Sequence, residues 1–330
     1  MKTHSLCLLA LLVLLLSGCK TEQDRMFNRY LERLGNVFEL EPASLSPSQP
    51  FILPDTRELL REPTRITLGL LDSYTLSQCG LFNLIADRNS ILGKVSDPFR
   101  QFDYQVRFIQ IAETCLQNTD LADNVALELK KALKIKKKEL KSVYFSNLLW
   151  TSEAMRNQLT TPEWISDADV HHHAAAESAF LTLNASLGAL NKKDWISLSK
   201  IQPYQETIEK QPVIGRLIYS ISNTEQAMNT INDFLALHLD SVPCGTQRDN
   251  TQYRYLTNVF NQQYITVIQP YLSNVNQLYY AFSTHTLFLK DKDFPHQIDL
   301  DKLYLSFQTA ILNHVELWQD ISKRCGSLTQ

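Results

Sequence analysis

The sequence predicts an all-α protein, built as an elongated helical bundle with two disulfides and a Pro-rich N-terminal connector. Glycine is scarce, at 9 of 330 residues, against an ordinary share of about 7%. That is too little for the tight turns of a many-stranded sheet or for a Gly-rich phosphate loop. A hydrophobic fraction of 44% and a net charge of -3 exclude a disordered chain and nucleic-acid binding by bulk charge.

The first 18 residues are expected to be a signal peptide. Lys2 and His4 precede an apolar run over 6–16, and small residues follow it, which is the layout of a secretory signal. The run is too short to cross a bilayer, which needs about 20 residues. The tetrapeptide at 16–19, LSGC, resembles the bacterial lipobox, which implies that Cys19 carries acyl chains and becomes the first mature residue. We therefore expect membrane anchoring through lipid on Cys19, palmitate included.

The expected location is the outer membrane, with the chain facing the periplasm. Lys20 follows the lipid-bearing cysteine, and in lipoproteins of diderm bacteria a residue other than aspartate at this place goes with forwarding to the outer membrane. The sequence has no second apolar stretch of spanning length.

The cysteines predict two disulfides. Six become four once the one in the signal and the lipid-bearing one are set aside, and an even number in an oxidising compartment indicates pairing. Three pairings are possible. Cys79 and Cys115 lie on either side of a turn near 93–98, so an antiparallel helix pair brings them together. Cys244 and Cys325 bracket helical segments that go out and return, which predicts the second bridge.

The domain organisation follows the prolines and the apolar periodicity. Residues 19–65 comprise an amphipathic helix over 20–40 and a connector with five prolines between positions 42 and 63, which favours extended backbone. Residues 66–330 are expected to form a single helical domain, made of a disulfide hairpin over 66–117 and a C-terminal three-helix unit over 204–330. Helices are predicted over 66–73, 75–91, 98–117, 121–157, 163–191, 204–240, 249–290 and 298–324.

Three prolines make specific predictions about helix ends. Asp97 before Pro98, and Thr161 before Pro162, each place a capping side chain before a proline at the first helical position. Pro270 predicts a kink or a split in the long helix that contains it.

Two clusters of polar residues suggest binding chemistry. Seven lysines fall within 130–141; apolar positions there form a stripe, so we expect the lysines to be solvated, with binding of anionic lipid head groups or glycans as the alternative. Asp169, His173 and Glu177 are spaced by four and share a helix face. Because the consecutive histidines at 171–173 point in different directions, we interpret this face as exposed and predict no metal site and no cofactor.

One block between the first pair of cysteines stands apart. It reads Asp87-Arg88-Asn89-Ser90-Ile91-Leu92-Gly93. The block resembles an uncharacterised family of proteobacterial lipoproteins, a domain of unknown function, whose members share the lipobox, an acidic-Arg-Asn-Ser-x-Leu-Gly block and flanking cysteines. The resemblance is specific over about residues 65–117, with aspartate at the first position where glutamate is common, and it implies no activity.

The block has two interpretations. Its first four residues end a helix and Gly93 suits a C-terminal cap, so Arg88 is expected to hold a carboxylate or carbonyls and lock the turn. Alternatively, Asp87, Arg88, Asn89, Ser90 and Gly93 form a surface for a ligand or partner.

The favoured function is a non-enzymatic, lipid-anchored periplasmic protein that binds another envelope component or acts as a scaffold. Hydrolase signatures such as Gly-x-Ser-x-Gly and His-Glu-x-x-His are missing, and no catalytic residue is assigned. The alternatives are an envelope hydrolase acting on glycan or lipid, and a carrier of a small apolar ligand. The expected partners are the membrane, through the N-terminal lipid, and an envelope protein, anionic lipid or glycan, but not nucleic acid.

Overall fold

The computed structural model of the protein describes residues 21–42, 44–46, 48–66, 76–117, 121–245 and 248–326. Helix accounts for 76% of the structure and these residues form no strand, which confirms the all-α class. The expected signal peptide, Cys19 and, apart from residue 66, the helix predicted over 66–73 lie outside the described residues. None of the helices in the described ranges has the length and hydropathy needed to span a bilayer.

Both predicted disulfides are confirmed. Cys79 pairs with Cys115, with 5.4 Å between the Cα atoms, and Cys244 pairs with Cys325, with 5.0 Å between the Cα atoms. Each bridge closes a loop of the unfolded chain, which contributes on the order of 4 kcal/mol in the chain-entropy account.

The contacts group the chain into two compact units. The first unit consists of the described residues within 1–47, 223–273 and 307–330, and the second of those within 48–222 and 274–306. The organisation of 66–330 as a single domain stays a prediction.

The helices of the first unit begin with Glu22–Phe38, as predicted for 20–40. The Thr21 hydroxyl accepts the backbone N–H of Asp24 and the Asp24 carboxylate accepts that of Thr21, which satisfies two donors that a helix start leaves unpaired. Also in this unit are Leu239–Ser241, a 3₁₀ turn, Thr251–Val259, and the π-helical Phe260–Ile268. Helices with residues in both units are Val213–His238, Gln269–Phe282 and Leu300–Cys325.

The core of the first unit holds a buried polar network, which we call the His314 cluster: Tyr30, Asn232, Tyr264, His314 and Trp318. His314 is fully buried. Its Nδ1 lies 2.8 Å from Asn232 Oδ1, and its Nε2 lies 3.1 Å from both the Tyr30 hydroxyl and Trp318 Nε1. The ring of Tyr264 packs against the imidazole with centroids 4.4 Å apart.

The hydrogen bonds define the tautomer of His314. The Asn232 amide nitrogen donates to the carbonyl of Ala310, so its oxygen faces His314 and Nδ1 carries the proton. Nε2 is then the acceptor for Trp318 Nε1–H and the Tyr30 hydroxyl. Every polar atom of the imidazole has a partner in the neutral form, and burial lowers the pKa of His314 to about 3.

The second unit contains the remaining helices. The described residues of its connector have no regular secondary structure except Thr56–Leu59. The connector is fixed by Asn147, which accepts the backbone N–H of Arg61 at 2.9 Å and donates to the carbonyl of Arg61 at 2.8 Å. The α-helices are Leu81–Asn89, Ile91–Lys94, Pro98–Cys115, Asp123–Glu139, Ser146–Thr151, Glu153–Thr160, Asp167–His172, Ala174–Lys192 and Gln205–Lys210. Leu140–Phe145 is π-helical, and Leu76–Cys79, Gln202–Tyr204, Ser283–His285 and Leu287–Lys290 are 3₁₀ turns.

Of the two caps predicted before a proline, one is confirmed and one is wrong. Asp97 caps the helix at Pro98–Cys115 by accepting the backbone N–H of Phe99 and Arg100. Thr161 starts no helix, because its hydroxyl donates back to the carbonyl of Asn157 at 2.7 Å, and the next helix begins only after Ser166. The helix predicted over 121–157 is interrupted at the extended Ser152, whose hydroxyl caps the following helix.

Pro270 neither ends nor splits its helix. The chain is helical from Thr251 to Phe282, and the wide π-helical turns of Phe260–Ile268 directly precede the proline. A π-helical turn moves carbonyls out of the α-helical register, which accommodates a residue that lacks an N–H and whose ring crowds the preceding turn.

Candidate functional site: a cationic cleft

The block at 87–93 forms a closed turn between two helices. The Arg88 guanidinium donates to the carbonyl of Gly93. The Ser90 hydroxyl donates to the carbonyl of Asp87 at 2.7 Å and accepts the N–H of Gly93 at 3.1 Å. These bonds join both ends of the block, as expected for the locking interpretation, through carbonyls rather than a carboxylate.

Gly93 is not a helix C-cap, contrary to the sequence expectation. The helix Leu81–Asn89 ends at Ser90 in extended conformation, and Gly93 lies within Ile91–Lys94. A Cβ atom on Gly93 would lie 2.3 Å from the carbonyl oxygen of Asp87 and 2.5 Å from that of Arg88. Glycine is therefore required by close backbone approach rather than by a positive φ.

The block lines one side of a cavity of about 420 Å³, which we call the cationic cleft. The helix Pro98–Cys115 lines another side, and a loop after residue 199 contributes the rest. Its lining residues are Leu84, Asp87, Arg88, Ser90, Gly93, Ser96, Arg100, Asp103, Tyr104, Arg107, Lys200 and Gln202.

Asp103 holds the loop of the cleft in place. Its Oδ1 accepts the backbone N–H of Ile201 at 2.8 Å and its Oδ2 accepts that of Gln202 at 3.1 Å. Burial raises the pKa of Asp103, against the lowering effect of those two N–H groups and of the nearby charges of Lys200 and Arg107. Both carboxylate oxygens are engaged, so this residue positions Lys200.

Positive charge dominates the lining of the cleft. Four cations face two carboxylates there. Arg100 Nε lies 3.4 Å from the Asp97 carboxylate, and the Arg100 side chain is exposed. Within the part of the chain that the structure describes, no carboxylate lies within 4.0 Å of the cationic groups of Arg88, Arg107 or Lys200. Cations around a concave surface that make no ion pair within this distance favour an anionic ligand.

Tyr104 separates the cleft from a buried lysine. The Arg88 guanidinium carbon lies 5.9 Å from the Tyr104 ring centroid. Lys136 Nζ lies 5.7 Å from the same centroid, 4.6 Å from that of Phe108 and 2.5 Å from Gln105 Oε1. Burial lowers the pKa of Lys136 to about 8.

The expectation that the lysines of 130–141 are solvated is wrong for three of them. Lys136 occupies the buried stripe of its helix, seven residues after Leu129. Lys137 pairs with Glu113. Lys141 pairs with the carboxylates of Asp291 at 2.9 Å and Asp293 at 2.5 Å. Three lysines of this segment therefore make contacts within the second unit instead of extending into solvent.

The histidine region does not assemble a metal-ligand set among the described residues. Asp169 accepts from Arg216 Nη1 at 2.8 Å and from the Ser166 hydroxyl at 2.7 Å. His173 Nε2 and His285 Nε2 each lie 3.7 Å from the Glu177 carboxylate. His171 and His172 are exposed. Both oxygens of the Asp169 carboxylate are therefore engaged by Arg216 and Ser166, and the expectation of an exposed face is wrong for Asp169, which is buried.

Sequence reasoning found four of the twelve residues that line the cleft. It singled out Asp87, Arg88, Ser90 and Gly93 but missed the helix that faces them. A signal was present, because Arg100, Asp103, Tyr104 and Arg107 recur at helical spacing and so share one face of their helix. Lys200 and Gln202 are brought to the cleft by hydrogen bonds from the backbone of Ile201 and Gln202 to Asp103. These partners lie about 100 residues apart in the sequence, and no local pattern predicts such a contact.

The chain was compared with known protein families, curated proteins and solved structures. A family model described as "Protein of unknown function (DUF3080)" matches residues 27–328. The chain belongs to this family. No curated protein and no solved structure matches it. As a DUF3080 member it belongs to an uncharacterised family, as the block at 87–93 implied, and the match covers both compact units.

Proposed function

We propose that this DUF3080 protein is a non-enzymatic, lipid-anchored protein of the bacterial envelope that binds an anionic component in the cationic cleft. The proposal depends mainly on one observation: Arg88, Arg107 and Lys200 line a concave surface with no carboxylate within 4.0 Å in the described residues. A phosphate or carboxylate in the cleft would accept charge-assisted hydrogen bonds from these three side chains.

The chemistry of the lining favours binding over hydrolysis or apolar transport. Hydrolysis of a glycan calls for a pair of available carboxylic groups, whereas both oxygens of Asp103 accept backbone N–H groups. A carrier of an apolar ligand calls for a mainly apolar cavity, whereas four of the twelve lining residues are cationic.

The proposed location is the periplasmic face of the outer membrane. It is supported by the lipobox-like tetrapeptide at 16–19 and by Lys20. Two disulfides are compatible with an extracytoplasmic protein. Metabolic labelling with palmitate tests the anchor: wild type is expected to incorporate label and Cys19→Ser to incorporate none. An unlabelled wild-type chain would refute acylation.

Calorimetric titration with pyrophosphate at low ionic strength tests the cleft. Wild type is expected to bind, and Arg107→Gln and Lys200→Gln each to weaken binding about tenfold, because a hydrogen bond to a charged group is worth about 1.5–3 kcal/mol. Raising the salt should weaken binding further. Arg29→Gln, which removes an exposed arginine of the first unit, is the matched control. Equal affinity in all four proteins, or no binding to wild type, would refute the cleft as an anion site.

A further inference from the structure

The rim of the cationic cleft carries two large apolar side chains exposed to solvent. Ile91 is 85% exposed and Val95 is 77% exposed. They stand at the first residue of the short helix Ile91–Lys94 and at the residue directly after it. Between them, the exposed Lys94 adds a further cation.

The same segment lines the cleft with its other side. Ser90, Gly93 and Ser96 contribute to the cavity wall, so this segment supplies both the wall and the apolar rim. The hydrogen bonds from Arg88 and Ser90 that close the turn fix its backbone. Ile91 and Val95 are therefore held outward by the fold of the block.

We propose that the ligand of the cleft is the phosphate group of a lipid within an anionic bilayer, and that Ile91 and Val95 enter the bilayer beside it. This inference rests on the proposed function, since it names the ligand class of the same cleft. An anionic bilayer presents phosphates next to an acyl region, and proteins that bind such an interface combine basic residues with exposed apolar side chains. A small soluble anion complements the cations of the cleft but leaves Ile91 and Val95 in water.

Vesicle capture tests the proposal. The full chain, held by its own N-terminus in nanodiscs of neutral phosphatidylcholine, is mixed with fluorescent vesicles of phosphatidylcholine alone or of phosphatidylcholine and phosphatidylglycerol in equal amounts. Capture of the anionic vesicles and not of the neutral ones is expected. The double variant Ile91→Ser, Val95→Ser should lose anionic capture at least tenfold, because it removes apolar area that the bilayer would bury.

Two comparisons make the outcome decisive. The double variant should bind pyrophosphate with the affinity of wild type, because neither side chain lines the cavity. Leu237→Ser, at a residue of the first unit that is 78% exposed, should capture vesicles like wild type. Pyrophosphate binding without anionic-vesicle capture would refute the lipid inference and leave the anion site standing. Capture that survives the double substitution would also refute it, and absence of both activities would refute both proposals.

Discussion

The two compact units treat their polar side chains in opposite ways. In the first unit, the His314 cluster is buried and each polar atom of the imidazole has a partner. In the second unit, Arg107 and Lys200 line an open cavity without a carboxylate within 4.0 Å in the described residues. A buried polar network whose groups all have partners specifies and stabilises a fold. Cations without an ion pair at a concave surface are instead available to bind an anion. The buried polar groups of the first unit therefore serve the fold, whereas the cations of the cleft are the candidates for function.

Removal of the imidazole gives the largest expected effect on stability. His314→Ala leaves a cavity in a fully buried position and deprives Asn232, Tyr30 and Trp318 of their partner. Such losses cost about 4 kcal/mol of unfolding free energy. Urea unfolding followed by circular dichroism measures this loss, with Arg107→Gln as the control expected to unfold like wild type. An unchanged midpoint for His314→Ala would contradict the structural role of the cluster.

Acid should destabilise the protein through the same residue. Burial lowers the pKa of His314 from 6.5 to about 3, so the unfolded chain takes up a proton that the folded chain rejects. The contribution of neutral His314 to the free energy of unfolding is present above pH 6.5 and is lost as the pH falls toward 3. The loss between pH 6.5 and 4.5 is about 2 kcal/mol. Urea unfolding at those two pH values measures the loss.

A variant without the titrating group isolates this contribution. His314→Gln should show a smaller loss between pH 6.5 and 4.5 than wild type, by about 2 kcal/mol. Burial also lowers the pKa of His296, which acts in the same direction and is present in both proteins. Equal pH dependence in wild type and variant would show that His314 is not the group responsible.

The sequence predictions that were confirmed follow from the regular spacing of residues along helices. Those that were wrong depend on close contacts. The disulfide pairing followed from cysteines that bracket helical segments, because topology brings such positions together. The solvated role for Lys136 was wrong because its position belongs to the buried stripe, where Gln105 and the Phe108 ring replace water around the ammonium group. The stripe drawn from the apolar residues alone left Lys136 out, although its spacing of seven residues from Leu129 places it on the same helix face.

The candidate site shows the same division. The resemblance to a known family singled out the block at 87–93, and local spacing could have identified the charged face of Arg100 and Arg107. It could not place Lys200, whose position depends on backbone hydrogen bonds from its neighbours to Asp103. It assigned Gly93 to a helix cap, because sequence alone does not distinguish a glycine required by positive φ from one required by close packing.

Substitution of Gly93 should affect both the fold of the block and the cleft. A Cβ atom in Gly93→Ala meets the carbonyl oxygens of Asp87 and Arg88 at 2.3 and 2.5 Å, so the turn must open, at a cost of about 1–2 kcal/mol. Thermal unfolding measures the cost, and titration with pyrophosphate should show weaker binding because Arg88 is displaced. A variant as stable as wild type, with full affinity, would contradict the close-packing explanation.

Gly188 supplies a matched control for this substitution. It lies inside the helix Ala174–Lys192, and a Cβ atom there meets nothing within 4 Å. Gly188→Ala should therefore stabilise the protein by about 0.5–1 kcal/mol, because alanine has the higher helix propensity. Opposite signs for the two Gly→Ala variants would confirm that the contacts, rather than the residue type, decide the outcome.

The smallest expected effect on stability belongs to the cleft itself. Arg107 is exposed and has no carboxylate within 4.0 Å in the described residues, so Arg107→Gln should change the unfolding free energy by less than about 0.5 kcal/mol. The same substitution is expected to weaken pyrophosphate binding about tenfold. Parallel urea unfolding and titration separate the two effects. If Arg107→Gln destabilised the protein as much as it weakened binding, the arginine would belong to the fold, and the contrast with His314 would disappear.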